Sequence, residues 1–127
     1  MDHKPRIIIV EDDTLLSKMY STKFVAEGFD VLAALDGEMA LQFLHDKPTP
    51  DFIIMDMMMP KLSGVQVLEQ IRNIPELAKI PVLILSNLQD PAQIHKAKEL
   101  GIVEYLIKAN YTPSQIAEFV KNYLAKR

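Results

Sequence analysis

The chain has 127 residues, 49% of them hydrophobic and 24% charged, and its 17 acidic and 14 basic side chains leave a net charge of −3. That is enough for one domain, residues 1–127, with its own core, and the weak acidic balance argues against direct nucleic-acid binding, which needs a basic face. The lack of cysteine excludes disulfides, thiolate metal ligands and a thiol nucleophile, while the longest apolar run, Val31 to Leu35, is too short to span a membrane.

Short apolar runs alternate with amphipathic stretches along the chain. The first run, Ile7 to Val10, leads into Leu16, Met19, Tyr20 and Phe24 at helical spacing, with Gly28 as the residue that ends the helix. Phe29 to Leu35 is the second run, followed by a short helix carrying Met39, Leu41, Phe43 and Leu44 that stops before Pro48. Phe52 to Met55 precedes a helix marked by Val65, Leu68 and Ile71 and ended before Pro75. Val82 to Leu85 precedes a helix with Pro91 in its first turn, Ile94, Ala97 and Leu100 on one face, and Gly101 as its stop. Val103 to Ile107 is the last run. The final helix has Thr112 as N-cap, Pro113 at N1 and Gln115 completing a capping box, a stripe of Ile116, Phe119, Val120, Tyr123 and Leu124, and Lys126 and Arg127 at its end, where positive charge suits the dipole. Three runs are continuously apolar, the pattern of strands covered on both faces, so strand–helix repeats predict an α/β fold: one open parallel sheet with helices on both sides.

Ligands bind such sheets outside the carboxyl ends of the strands. Those ends carry Glu11-Asp12-Asp13, Asp56, Ser86 and Lys108, while the second strand offers nothing comparable. Each residue alone has an ordinary explanation: Asp13 or Thr14 caps a helix, Asp56 sits in a turn, Ser86 is a loop serine, Lys108 is solvated. Their joint placement is the signal. Carboxylates roughly 4 Å apart repel by about 4 kcal/mol at an effective dielectric of about 20, which disfavours a purely structural role. A hard cation such as Mg2+ accepts one or two carboxylates beside water and phosphate oxygens, and with the charge partly neutralised an aspartate can act as a nucleophile on phosphorus.

The order and spacing of these segments resemble a response-regulator receiver domain of two-component signalling, a single-domain, chemotaxis-regulator-like receiver, over essentially the whole chain. The resemblance rests on Ile7-Ile-Ile-Val-Glu-Asp-Asp, Ile53-Ile-Met-Asp-Met-Met-Met-Pro60, the Pro60-Lys-Leu-Ser-Gly64 that follows, Leu83-Ile-Leu-Ser86 and Tyr105-Leu-Ile-Lys108. It implies a flavodoxin-like doubly wound five-stranded parallel sheet of order 2-1-3-4-5 with five helices. It implies that Asp56 accepts a phosphoryl group from a histidine kinase or phosphotransfer protein. Glu11, Asp12, Asp56 and the Met58 main-chain carbonyl would hold Mg2+. Lys108 and Ser86 would engage the phosphoryl group, and Ser86 with Tyr105 would form a switch acting on the surface of the fourth helix, fifth strand and fifth helix, where a downstream protein docks. Tyr105 reads equally as a half-buried strand aromatic. A monomer or weak homodimer in the cytoplasm is expected, and a phosphoacceptor with at most slow self-dephosphorylation rather than an enzyme.

Two residues depart from the family's pattern: Asn87 stands after the hydroxyl, where a small residue is usual, and Ala109 after the lysine, where proline, often in a cis peptide, is common. Met58 and Leu88, both apolar, hold the two positions nearest an attacking water. Three alternatives remain in view. A pseudo-receiver would bind partners without phosphotransfer. An aspartate-dependent phosphohydrolase would need an Asp-x-Asp motif that Glu11 breaks. A nucleotide-binding domain would need a glycine-rich loop that Gly28, Gly37, Gly64 and Gly101 cannot assemble. His3, His45 and His95 follow no ligand spacing and read as surface residues, and Met57 to Met59 read as packing a turn.

Overall fold

A computed structural model describes residues 3–126. In chain order the elements are β1 (Arg6–Val10), α1 (Thr14–Ala26), β2 (Asp30–Ala34), α2 (Gly37–Asp46), β3 (Phe52–Met55), α3 (Gly64–Asn73), β4 (Val82–Ser86), α4 (Pro91–Glu99), β5 (Glu104–Ile107), a 3-10 turn (Lys108–Asn110) and α5 (Pro113–Ala125). The five strands form one parallel sheet in the order β2-β1-β3-β4-β5, the expected flavodoxin-like arrangement.

Alternation along the central strands divides the interior into two cores. Ile8, Val10, Ile53, Met55, Val82 and Ile84 point to one face, against Ala40 and Leu44 of α2, Val65, Val67, Leu68 and Ile71 of α3, and Ala97 of α4. Ile7, Ile9, Phe52, Ile54, Leu83, Leu85 and Leu106 point to the other, against Tyr20 and Phe24 of α1 and Ile116, Ala117 and Val120 of α5. β3 and β4 are buried throughout and β1 nearly so, which explains why their sequences lack polar alternation, whereas the edge strands β2 and β5 are partly exposed.

The capping signals hold. Asp13 caps α1, accepting from the Leu16 N–H, and Gly28, at a φ of 94°, follows its C-cap. Pro91 opens α4, Gly101 adopts a φ of 82° just after it, and Thr112 and Gln115 form the capping box of α5. Ser63 and Gln66 form a second capping box on α3. Arg127 lies outside the described residues.

Two helix faces differ from expectation. In α1 the residues against the sheet are Ser17, Tyr20 and Phe24, and Met19 faces solvent. In α2 they are Gly37, Ala40 and Leu44, with Met39 at the exposed edge. Both helices carry apolar residues around more than one face, so the sheet contact selects one of two possible stripes.

Arg72, at the end of α3, is a tie that periodicity does not reveal. Its guanidinium donates to the carbonyls of Leu100, Ile80 and Gly101 at 2.8, 3.0 and 2.6 Å, fastening α3 to the chain before β4 and to the turn after α4. Burial lowers its pKa without threatening its charge. Replacement by alanine leaves three carbonyls without this donor, those of Leu100 and Ile80 in partly buried positions. Arg72→Ala is expected to lower the unfolding free energy by about 3 kcal/mol, measured by urea denaturation.

Candidate functional site

Main-chain pairing continues one residue past the carboxyl ends of β1 and β3. The Glu11 N–H donates to the Ala34 carbonyl at 3.0 Å and the Asp56 N–H to the Val10 carbonyl at 3.1 Å. The two acids are thereby held side by side at the rim, and both are nearly buried, Glu11 3% and Asp56 5% exposed. Between them lies the ammonium of Lys108, which follows β5 directly. Its Nζ is 2.5 Å from Glu11 Oε1 and 2.6 Å from Asp56 Oδ2. The second oxygen of each acid accepts a main-chain N–H: Asp13 to Glu11 Oε2 at 3.0 Å, and Met58 to Asp56 Oδ1 at 3.1 Å.

Burial raises the pKa of Glu11, against the hydrogen bonds from Lys108 and the Asp13 N–H that favour its charged form. Burial likewise opposes the charge on Lys108, but hydrogen bonds to Asp56 and Glu11 and the charges of both acids overcome it, and the lysine pKa stands above its usual value. The ammonium thus contributes stability that persists up to alkaline pH and is lost only as pH rises through that raised pKa.

Asp12 is exposed beside this pair. One carboxylate oxygen from each of Glu11, Asp12 and Asp56 lies within 4.8 Å of the other two, a set of hard oxygen donors open to solvent on one side. That fits a small divalent cation that keeps part of its water shell.

The floor of the site tolerates no side chain at position 64. A Cβ there would lie 2.4 Å from the Asp56 carbonyl oxygen and 2.9 Å from the Met57 Cα. The glycine of the Pro60–Gly64 segment therefore lets the start of α3 close against the loop that carries Asp56. Of the three methionines in that loop, Met57 and Met59 pack against the core, but Met58 does not. Its side chain is 51% exposed, because its own N–H is turned inward to Asp56.

Ser86 ends β4 fully buried, and its Oγ accepts the Leu88 N–H at 3.2 Å. The hydroxyl of Tyr105 donates to the Leu88 carbonyl at 2.7 Å, and its half-buried ring packs on the core that faces α3. One residue, Leu88, thus joins Ser86 to Tyr105, a connection that spacing alone does not show. Asn87 directs its carboxamide oxygen to the Ala109 N–H at 3.0 Å. The described peptide bonds, including the one after Lys108, are all trans. The structure brings Glu11, Asp12, Asp56 and Lys108 into one cluster, places Ser86 at the end of β4 and Tyr105 in β5 with Leu88 of the adjoining loop between them, and leaves His3, His45 and His95 exposed and far apart in sequence.

Fold and rim together define a doubly wound α/β module with an acid–lysine centre. The chain belongs to the response regulator receiver domain family, whose profile matches residues 7–121, and is thus a receiver of two-component signalling. It is 32% identical over 99% of its length to a probable transcriptional regulator, ycf27, of Guillardia theta, covering 48% of that protein. It is 35% identical over 91% of its length to the regulator of RpoS of Escherichia coli, covering 33% of that protein. The receiver domain of the Francisella response regulator 1452 superposes with a TM-score of 0.83 at 28% identity, with 98% of this chain and 100% of that one covered. The chain spans about half the length or less of these curated relatives.

Removing the ammonium leaves two nearly buried carboxylates facing each other. Lys108→Met is expected to destabilise the metal-free protein by about 3 kcal/mol near neutral pH. The deficit should shrink on acidification as Glu11, whose carboxyl pKa burial already pushes up, takes a proton, and added Mg2+ should recover part of it; thermal melts across pH, with and without the ion, measure all three effects.

Proposed function

We propose that this chain is a phosphoacceptor switch in which Asp56 takes a phosphoryl group from a histidine kinase or phosphotransfer protein. The observation that carries the reading is the Lys108 ammonium within hydrogen-bonding distance of both Glu11 and Asp56, with Asp12 in the same cluster. Glu11, Asp12, Asp56 and the Met58 carbonyl would hold Mg2+. Bound there, the ion offsets the carboxylate charge and the charge that develops on the phosphoryl oxygens.

The protein's own groups supply the rest. A carboxylate oxygen of Asp56 attacks phosphorus, an O–P bond forms, the donor's P–N bond breaks, and the leaving imidazole nitrogen takes a proton from solvent. Lys108 turns from paired acids to the new phosphoryl oxygens, and the Ser86 hydroxyl donates to them. Drawing Ser86 Oγ toward the phosphoryl group frees the Leu88 N–H, and through Leu88 this loosens the hold on Tyr105. The added dianion thereby re-weights two packings of the α4–β5–α5 surface, which a downstream protein reads.

The chain works in this reading as a signalling module of the cytoplasm, monomeric or weakly dimeric, through protein contacts rather than direct contact with nucleic acid. The relatives' names as transcriptional regulators describe those proteins, and the acidic balance of this chain favours a protein partner. No helix among the described residues is long and apolar enough to cross a membrane.

Incubation with Mg2+ and acetyl phosphate, followed by intact-mass spectrometry, should show the gain of a single phosphoryl group, abolished by Asp56→Asn and by omission of the ion. No gain in the folded wild-type protein would instead make it a phosphorylation-independent binding module. Met58 and Leu88 offer no polar side chain to orient an attacking water, so the acyl phosphate should decay slowly; loss within seconds in the purified protein contradicts that assignment.

A further inference from the structure

We propose that Asn87 is a positioning residue for Lys108, acting through the main chain of Ala109; the proposal rests on the reading of the Asp56 centre as a phosphoryl site and adds a residue to it. Pairing between β4 and β5 ends at Ser86 and Ile107. Beyond that pair the two strands separate, β4 into the loop before α4 and β5 into the 3-10 turn of Lys108–Asn110. Of the two groups that must act together, the Ser86 hydroxyl is therefore borne on the last paired residue, whereas the Lys108 ammonium is borne one residue beyond the point where the sheet holds the two chains in register. The Asn87 Oδ1 accepts the Ala109 N–H at 3.0 Å and supplies one more cross-strand bond at that point.

The chemistry of this bond needs both residues. Only the oxygen of a carboxamide can accept from an N–H, so the amide orientation is fixed by its partner. Proline at 109 has no N–H to give, and a small side chain at 87 has no acceptor to offer. The two departures from the family's pattern thus sit at the two ends of one hydrogen bond. With Ile107 held in the ladder on one side and Ala109 held by Asn87 on the other, the Lys108 backbone is fixed at both flanks. A fixed origin is what an ammonium requires to reach Glu11 and Asp56 at 2.5 and 2.6 Å at once. Asn87 and Ala109 are exposed, so the bond adds little to stability, and its consequence is the aim of the lysine.

The test compares the wild type with Asn87→Ala, Asn87→Asp, Ala109→Pro and the Asn87→Ala/Ala109→Pro double variant. Three quantities are read: hydrogen exchange of the Ala109 amide, the NMR signal of the Lys108 ammonium in the Mg2+-free protein, and the initial rate of phosphoryl uptake from acetyl phosphate at saturating Mg2+. Asn87→Ala is expected to speed Ala109 exchange, to shift or broaden the Lys108 signal, and to slow uptake by about fivefold to tenfold, the scale of one lost hydrogen bond. Asn87→Asp keeps an acceptor and should restore protection of the Ala109 amide. In the Ala109→Pro background, which lacks the donor, Asn87→Ala should have no further effect on uptake. A change in melting temperature with the Lys108 signal and the uptake rate unmoved overturns the proposal, as does an undiminished Asn87→Ala effect in the proline background. Should the wild type take up no phosphoryl group, the phosphoacceptor reading falls, and the Lys108 signal alone decides the positioning role: moved by Asn87→Ala it supports it, unmoved it overturns it.

Discussion

The ammonium of Lys108 between Glu11 and Asp56 is the interaction on which the site depends. Two nearly buried carboxylates at the lip of a sheet are a standing cost, since burial penalises each charge and each repels the other. The Lys108 ammonium, hydrogen-bonded to both acids, offsets that cost, and the pairing holds its own pKa above the usual lysine value against burial. The result is a centre whose charge is balanced by a group on a long, movable side chain. The proposed phosphoacceptor role makes use of that balance, because a cation at the three acids would take over part of the charge that Lys108 now offsets.

Placement of that centre follows from parallel strand pairing. Adjacent carboxyl ends of β1 and β3 present Glu11 and Asp56 on one rim because the ladder runs one residue past each strand. β4 and β5 deliver Ser86 and Lys108 to the same rim. The packing behind it is tight at Gly64, where no Cβ fits, and looser toward α4, whose single buried residue is Ala97. An element bound by so little apolar surface can shift at small energetic cost, and it borders the loop in which Leu88 links Ser86 to Tyr105.

Much of this was legible in the sequence, for identifiable reasons. β1, β3 and β4 announce themselves because burial on both faces removes polar alternation, and Asp13, Gly28, Gly101 and Thr112 mark helix ends through their own local chemistry. The acids, Ser86 and Lys108 could be gathered because a parallel sheet places strand ends together. Illegible features are those made by distant partners. Lys108 and Asp56 are 52 residues apart, and nothing in their spacing states that the lysine also holds Glu11. The three carbonyls gathered by Arg72 and the Asn87–Ala109 bond depend in the same way on loops meeting in space. Helical spacing puts Met19 with Tyr20 and Phe24, yet Met19 faces solvent, because α1 has two apolar sides and only the sheet chooses between them.

The most direct test is a calorimetric titration of the folded, phosphate-free protein with Mg2+. A saturable uptake of a single ion per chain, weakened by Asp12→Asn and accompanied by a change in the Lys108 ammonium resonance, is the result this account predicts. A well-folded sample that absorbs no heat and shows no shift at Glu11, Asp12, Asp56 or Lys108 over the same titration would contradict it.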